Sequence, residues 1–240
     1  MPVSATVTAA DLRAAPQRAA DARTGRFELV VRYAGSGALA EVRTVGAYDH
    51  DEDRTEQLTT FGGAIEALPE WQAAVTPEFE EGIGMRTDGA AVYLKIPMLA
   101  EVLGSSGWVA STDGADRVQG LASAAVPDGL GFLDVLLAVE DDVEPLGRAR
   151  VRDAATTRLR ATVDLGAADG HPRPPELDLG VVPLEAWIDD DGLVRRLVLD
   201  AGDGAAATLE LYDYGAPLDI EIPPLGTGTA LDEPPPEADG

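Results

Sequence analysis

The amino-acid sequence predicts an α+β protein built on one large antiparallel sheet that curls around an apolar interior. Between residues 148 and 222, four short segments alternate apolar and polar side chains with a period of two, as strands with one face in water do. Turns too short for a helix separate most of them, which favours antiparallel neighbours. The apolar positions are Leu159, Ala161, Val163 and Leu165, then Leu184, Ala186 and Ile188, then Leu209 and Leu211, and finally Leu218, Ile220 and Ile222.

The first hundred residues predict one helix followed by several strands. Residues 9–24 are rich in Ala, Arg and Gln, which favours a helix, and Gly25 is expected to end it. The remaining segments alternate apolar and polar residues and are separated by Gly-rich or Asp-rich turns. The predicted strands cover residues 26–34, 38–48, a third segment from the turn at 49–54 through Phe61, and a segment that begins near Val92 and ends at Pro97.

The middle of the chain changes to helical spacing. Apolar residues recur at helical intervals in 98–103 and 118–125, and the segment Leu130–Val139 is apolar on almost every side. A helix of that kind has to be covered all round. If it lies on the concave face of a single sheet, its outer side needs a lid, a partner or an apolar ligand. Alternatively, the other two helices cover it and the core is simply filled.

Composition bounds the class of protein. The chain has 240 residues, 45% of them hydrophobic, which is enough for a sizeable core. We expect one domain over residues 1–225 and a disordered, acidic and Pro-rich tail over 226–240. No stretch has the continuous apolar length of a membrane span.

The charge is strongly negative. Forty-three acidic residues face eighteen basic ones, giving a formal net charge of −25. Such a surface repels phosphate backbones, so binding of nucleic acid is not expected. We interpret the acid excess as solvation, which fits an extracytoplasmic surface.

Motifs for catalysis are missing from the sequence. There is no cysteine, no serine lies in a Gly-x-Ser-x-Gly elbow, and His50 and His171 both occur in turn-like contexts. The acidic runs 49–53 and 189–191 lack the pattern of a calcium loop and are interpreted as turns, with Gly192 at positive φ. We therefore expect no enzyme, no metal site and no cofactor.

Three stretches carry a family resemblance. Residues 92–97 read VYLKIP and are followed by Leu-Gly and then by Gly-Trp-Val at 107–109; residues 156–165 read TTRLRATVDL; and VPLEAWID at 182–189 precedes GLVRRL at 192–197. In order and spacing they resemble actinobacterial lipoproteins of the LppX/LprG type, relatives of the LolA and LolB carriers. The resemblance implies a LolA-like, half-open antiparallel barrel with helices in its concavity and a hydrophobic pocket that receives acyl chains.

The resemblance also implies a location in the cell envelope. Members of this family are usually tethered by a lipidated cysteine at the mature N-terminus, and this chain contains no cysteine. We therefore expect an extracytoplasmic protein, in the envelope or secreted. Either a lipidated cysteine before the given sequence is its only attachment to the membrane, or the protein is released. We expect it to be a monomer.

Two functions from different classes remain. The first is a cell-envelope carrier whose partner is an acyl-chain lipid or a lipidated molecule. The alternative is an envelope sensor or protein-interaction module of the same fold, with side chains filling the concavity. For the carrier, the expected ligand-binding residues are Leu29, Val31, Leu94, Leu99, Leu103, Leu121, Leu130, Phe132, Leu133, Leu136, Leu137 and Val163.

Overall fold

The computed structural model describes residues 7–35, 38–64, 82–95, 108–111, 129–165 and 180–223. Within these ranges, eleven strands form one curved sheet in the order β6-β5-β4-β3-β2-β1-β11-β10-β9-β8-β7, and its two edges do not meet. The strands are β1 (Thr24–Gly35), β2 (Ala38–Asp49), β3 (Arg54–Gly63), β4 (Ile83–Asp88), β5 (Ala91–Lys95), β6 (Trp108–Ser111), β7 (Glu144–Val151), β8 (Ala154–Asp164), β9 (Val181–Asp189), β10 (Val194–Gly202) and β11 (Ala205–Tyr212).

Every strand pair is antiparallel, which confirms the fold class that the sequence predicts. Residues opposite each other in the ladder share a face, so the register identifies the face that the helices cover, here called the concave face. On it, Leu29 of β1 lies opposite Thr44 of β2 on one side and Leu209 of β11 on the other. The main core lies between this face and the helices.

The N-terminal helical segment is shorter and more broken than the sequence predicts. It forms two helices, α1 (Ala9–Arg13) and α2 (Ala15–Asp21), that meet at Ala14. A proline in the first turn of α2 has no N–H to continue the helix before it, which explains the break. The prediction that Gly25 ends the helix is wrong: Arg23 reverses the chain at a φ of 67°, and Gly25 already lies in β1.

The apolar segment Leu130–Val139 forms a 3-10 helix over Gly131–Ala138. With three residues per turn, side chains three positions apart stack in one row. Leu133, Leu136 and Val139 follow this row and are buried, whereas Leu137 lies in another row and is 59% exposed. One side of this apolar helix, at Leu137, is therefore exposed.

The predicted strand at 218–222 is also wrong, because residues 213–223 form no regular secondary structure. β11 already has β1 on one side and β10 on the other, so a segment that follows it closely finds no free edge. Ile220 is nevertheless buried.

The other predicted strands are confirmed, with ends that shift by a few residues. The turn between β9 and β10 is confirmed too, since Gly192 has a φ of 81°. Three strands were not predicted from the sequence: β4, β6, which has four residues, and β7, in which a bulge at Gly147 interrupts the alternation. The predicted helices at 98–103 and 118–125 and the predicted tail at 226–240 lie outside the described residues.

Candidate binding face of the sheet

One end of the concave face is occupied by α1 and α2. Leu12, Ala15 and Ala19 of these helices are buried in the main core. Tyr48, on β2, donates a hydrogen bond from its hydroxyl to the carbonyl oxygen of Ala19 over 3.2 Å, and its burial raises the pKa of that hydroxyl. This end of the face is called the helix-capped end.

The opposite end of the same strands is less covered. Val31 on β1 and Ala207 on β11 lie opposite each other and pack on the main core, but both remain partly exposed. Tyr33 and Phe61, further along this end, are also partly exposed and pack on the small buried pair Ala40 and Val42. Apolar side chains at this opposite end are therefore within reach of solvent or of a ligand.

The half of the face built from β1 and β8–β11 is aliphatic and tightly filled, and is called the aliphatic half. Its inward side chains form a single cluster with the helices. Leu29, Leu136 and Val163 are each at most 1% exposed. These three side chains pack on their neighbours and have almost no contact with solvent. The inward leucines and valines of the strands in this half are Leu29, Val31, Leu159, Val163, Val182, Leu184, Val194, Leu197, Leu199, Leu209 and Leu211.

The half built from β2, β3 and β4 carries polar groups on its inward positions, and is called the polar half. The hydroxyls of Thr44 and Thr59 are 2.7 Å apart, and both residues are fully buried. Gln57 is 7% exposed, and its Nε2 lies 3.9 Å from the sulfur of Met85. Two further threonines, 55 and 87, place their hydroxyls 2.8 Å apart.

The structure brings together most, but not all, of the residues that sequence analysis expects at the site. Those in the main cluster or packed on it are Leu29, Val31, Leu130, Phe132, Leu133, Leu136 and Val163. Leu94 lies on the same face, but it belongs to a separate small cluster with Val92 and Met85. Leu137 is largely exposed, and Leu99, Leu103 and Leu121 lie outside the described residues.

Sequence analysis missed the polar half entirely. Its signal was present in β3, where Thr55, Gln57 and Thr59 alternate with Leu58. If the apolar residue of this alternation faced the core, Leu58 would be buried, yet Leu58 is 42% exposed. The neighbouring strand decides the matter, because Thr59 pairs with Thr44 and Gln57 lies opposite Gly46.

The outer face of the sheet is held by ion pairs. Arg152, in the turn between β7 and β8, contacts Glu210 at 2.9 Å and Glu28 at 3.2 Å, and its guanidinium lies 3.9 Å from the ring centre of Tyr212. These contacts fasten the β7–β8 hairpin across the sheet to β11 and β1. Among the described residues there is no group of three or more His, Cys, Asp or Glu side chains placed to hold a metal.

Comparisons with known proteins agree with this architecture. LprF from Mycobacterium bovis superposes with a TM-score of 0.54 at 15% identity, over 90% of this chain and 96% of that one. The chain has the fold of LprF. The lipoprotein LppX from Mycobacterium tuberculosis gives a TM-score of 0.48 at 14% identity, over 88% of this chain and 98% of that one.

The sequence match of this chain to a known protein is partial. No family model matches the chain. A phenolic acid decarboxylase of Bacillus subtilis is 27% identical over 112 residues, which is 45% of this chain and 21% of the length of the decarboxylase. The match thus spans about a fifth of that enzyme. In the part of the chain that the structure describes, no helix has the length and apolarity needed to span a bilayer.

Proposed function

We propose that this protein is an extracytoplasmic lipid carrier that holds acyl chains against the concave face of its sheet. The observation that carries the proposal is the contrast between the two ends of that face. The helix-capped end is buried, whereas Val31, Tyr33, Phe61 and Ala207 at the opposite end stay partly exposed. An acyl chain entering from the opposite end would cover these side chains.

Apolar contact alone supplies the driving force for such a ligand. Each methylene that leaves water contributes about 0.8 kcal/mol, so a long chain gains several kcal/mol without any specific polar contact. Inward positions of the aliphatic half offer only such contacts. The fold shared with LprF and the sequence resemblance to LppX/LprG-type lipoproteins both support a carrier over an enzyme.

A matched pair of tryptophan variants tests the proposal. Ala207 faces the concave side, and the next residue on β11, Thr208, faces the outer side opposite Val30. The native protein, purified from a lipid-containing host, should carry bound lipid in native mass spectrometry and take up a fluorescent acyl probe. Ala207→Trp should reduce that uptake strongly by occupying the entry, whereas Thr208→Trp should leave it unchanged.

The filled state of the aliphatic half supports a second candidate, an envelope protein that recognises other proteins and keeps a solid core. Leu29, Leu136 and Val163 are buried by other side chains of the protein and have almost no accessible surface for a ligand to contact. If the native protein carries no lipid and takes up no acyl probe, the carrier proposal fails and this second candidate replaces it. Equal uptake by the Ala207→Trp and Thr208→Trp variants would place binding elsewhere than the opposite end.

A further inference from the structure

We infer that Gln57 is the polar anchor of the binding face, and that its carboxamide selects uncharged lipids whose polar part carries hydroxyl or ester oxygens. This inference rests on the proposed carrier function and adds the chemistry of the ligand's polar part. It concerns the polar half, where the inward positions of β2, β3 and β4 depart from the aliphatic pattern of the other strands.

Gln57 is a buried carboxamide in contact with a sulfur atom. A carboxamide has two N–H donors and a carbonyl acceptor, and such groups are normally hydrogen-bonded when buried. Gln57 is 7% exposed, and among the described residues the contact of its Nε2 is with the thioether sulfur of Met85 at 3.9 Å. A thioether accepts hydrogen bonds weakly, so this contact satisfies little of what the carboxamide offers.

Two pairs of threonines flank Gln57 along the strands. Thr55 and Thr87 pair on one side of it along the strands, and Thr44 and Thr59 pair on the other. Each pair uses one hydroxyl proton internally, which leaves the second proton of the pair to donate elsewhere. The carboxamide therefore lies between two pairs of threonine hydroxyls along the inward face, and these five residues are called the polar track.

The absence of charge on this track sets the class of ligand. The inward residues of the three strands are Ala40, Val42, Thr44, Gly46, Tyr48, Thr55, Gln57, Thr59, Phe61, Ile83, Met85 and Thr87, all uncharged. Burying a full charge against them would leave it without a counter-charge, at a large cost in free energy. The net charge of −25 opposes phosphate headgroups further. Hydroxyl and ester oxygens match the available donors and acceptors.

Two lipids with similar chains and two variants test this inference. Monooleoylglycerol and 1-octadecene compete with a pyrene-labelled alkane for the native protein, for Gln57→Met and for Met85→Leu. Gln57→Met keeps the length of the side chain and removes the amide, whereas Met85→Leu removes the sulfur and keeps the amide. We expect the native protein and Met85→Leu to prefer monooleoylglycerol, and Gln57→Met to bind it about tenfold more weakly with unchanged affinity for octadecene.

The other outcomes of this competition experiment contradict either the inference or the carrier function. If the native protein binds both lipids without preference, or if Gln57→Met keeps the preference, the inference is overturned while the carrier function stands. If the Met85→Leu variant loses the preference as fully as Gln57→Met, the amide serves only to pack against Met85, and the inference is again overturned. A native protein that binds neither lipid refutes the carrier function itself.

A second variant keeps the inference testable should Gln57→Met fail to fold. The double substitution Thr55→Val and Thr87→Val removes the partly buried hydroxyl pair beside Gln57, together with the hydrogen bond that Thr87 Oγ1 accepts from the backbone N–H of Thr55. It should lower the preference for monooleoylglycerol several-fold. Retention of the full preference in this folded variant would show that the polar track does not contact the ligand.

Discussion

The aliphatic half and the polar half share one continuous sheet, yet they are packed in different ways. In the aliphatic half, strands and helices form a single cluster in which Leu197 and Leu209 are fully buried. Among the residues that the structure describes around the polar half, the buried apolar clusters at Val42 and at Leu94 are separate from the main cluster. The largest apolar cluster of the described residues therefore lies in the aliphatic half.

This division follows from the physical cost of each kind of contact. Close-packed aliphatic side chains stabilise a core but distinguish poorly between ligands, since apolar contact is non-directional. Hydrogen-bonding groups contribute less net stability, yet leaving one unpaired is costly, which makes them selective. Under the proposed carrier function, the aliphatic positions would hold a hydrocarbon chain and the polar positions would discriminate at its polar end.

The largest expected effect compares the same substitution in the aliphatic half and on β5, the strand next to the polar half. Leu209→Ala should lower the free energy of unfolding by about 3–4 kcal/mol, because the main cluster cannot collapse around the cavity. Leu94→Ala should cost about 1–2 kcal/mol, because Leu94 packs in a small group with Val92 and Met85. Denaturant unfolding of both variants measures the difference. Equal losses would show that the two halves form one cooperative core.

The second prediction concerns the buried Thr44–Thr59 pair. Thr44→Val alone leaves the hydroxyl of Thr59 without its 2.7 Å partner and should cost about 1–3 kcal/mol. Adding Thr59→Val should restore most of that loss, because two apolar groups of the same shape replace the pair. A double-mutant cycle by thermal or denaturant unfolding gives the coupling energy. Additive losses would contradict the view that this pair is the unit of stability here.

The same division explains how far the sequence could predict the molecule. Period two in β8 and β9 sufficed because one face is apolar and the other polar, so pattern and burial agree. In β3 they disagree: the sequence pattern gives the strand, but only its register against β2 shows that Gln57 faces inward. Register depends on contacts distant in sequence, which a local pattern does not contain.

Helices showed the same limit. The sequence of residues 130–139 indicates an apolar helix, and the structure has one. Its 3-10 geometry changes which side chains share a row, and so it exposes Leu137 while burying Leu136. The predicted strand at 218–222 does not form, although its pattern is as regular as that of the true strands. The reason is the sheet topology, which leaves this segment no free edge.

A third prediction tests the β9–β10 turn in the aliphatic half. Gly192→Val should lower the free energy of unfolding by about 1–3 kcal/mol, because a β-branched residue is strained at a φ of 81°. Its Cβ would also lie 3.0 Å from Nη1 of Arg18. The matched control is Gly62→Val in β3, where the nearest atom would be 4.0 Å away and stability should hardly change. A melting temperature that falls equally in both variants would exclude backbone strain as the cause.

The smallest expected effect, a null one, compares the acidic turns of the two halves. In the β2–β3 turn, one carboxylate oxygen of Asp49 accepts hydrogen bonds from the backbone N–H groups of Asp51 and Glu52, at 2.9 and 3.1 Å. In the β9–β10 turn, Asp189 does the same for Asp191 and Leu193, at 3.0 and 2.9 Å. In both acidic runs, the first carboxylate thus accepts the hydrogen bonds that close the turn.

Calcium should therefore act on this protein only as salt. A carboxylate engaged with backbone N–H groups would have to break those bonds to bind the ion, and neither turn has the spacing of a calcium loop. Specific binding would raise the melting temperature with ligand concentration by linkage, whereas screening depends on ionic strength alone. Melts in calcium chloride and in sodium chloride at matched ionic strength should coincide. A calcium-specific rise that saturates at micromolar concentration and disappears in Asp49→Asn would show instead that the β2–β3 turn of the polar half is a cation site.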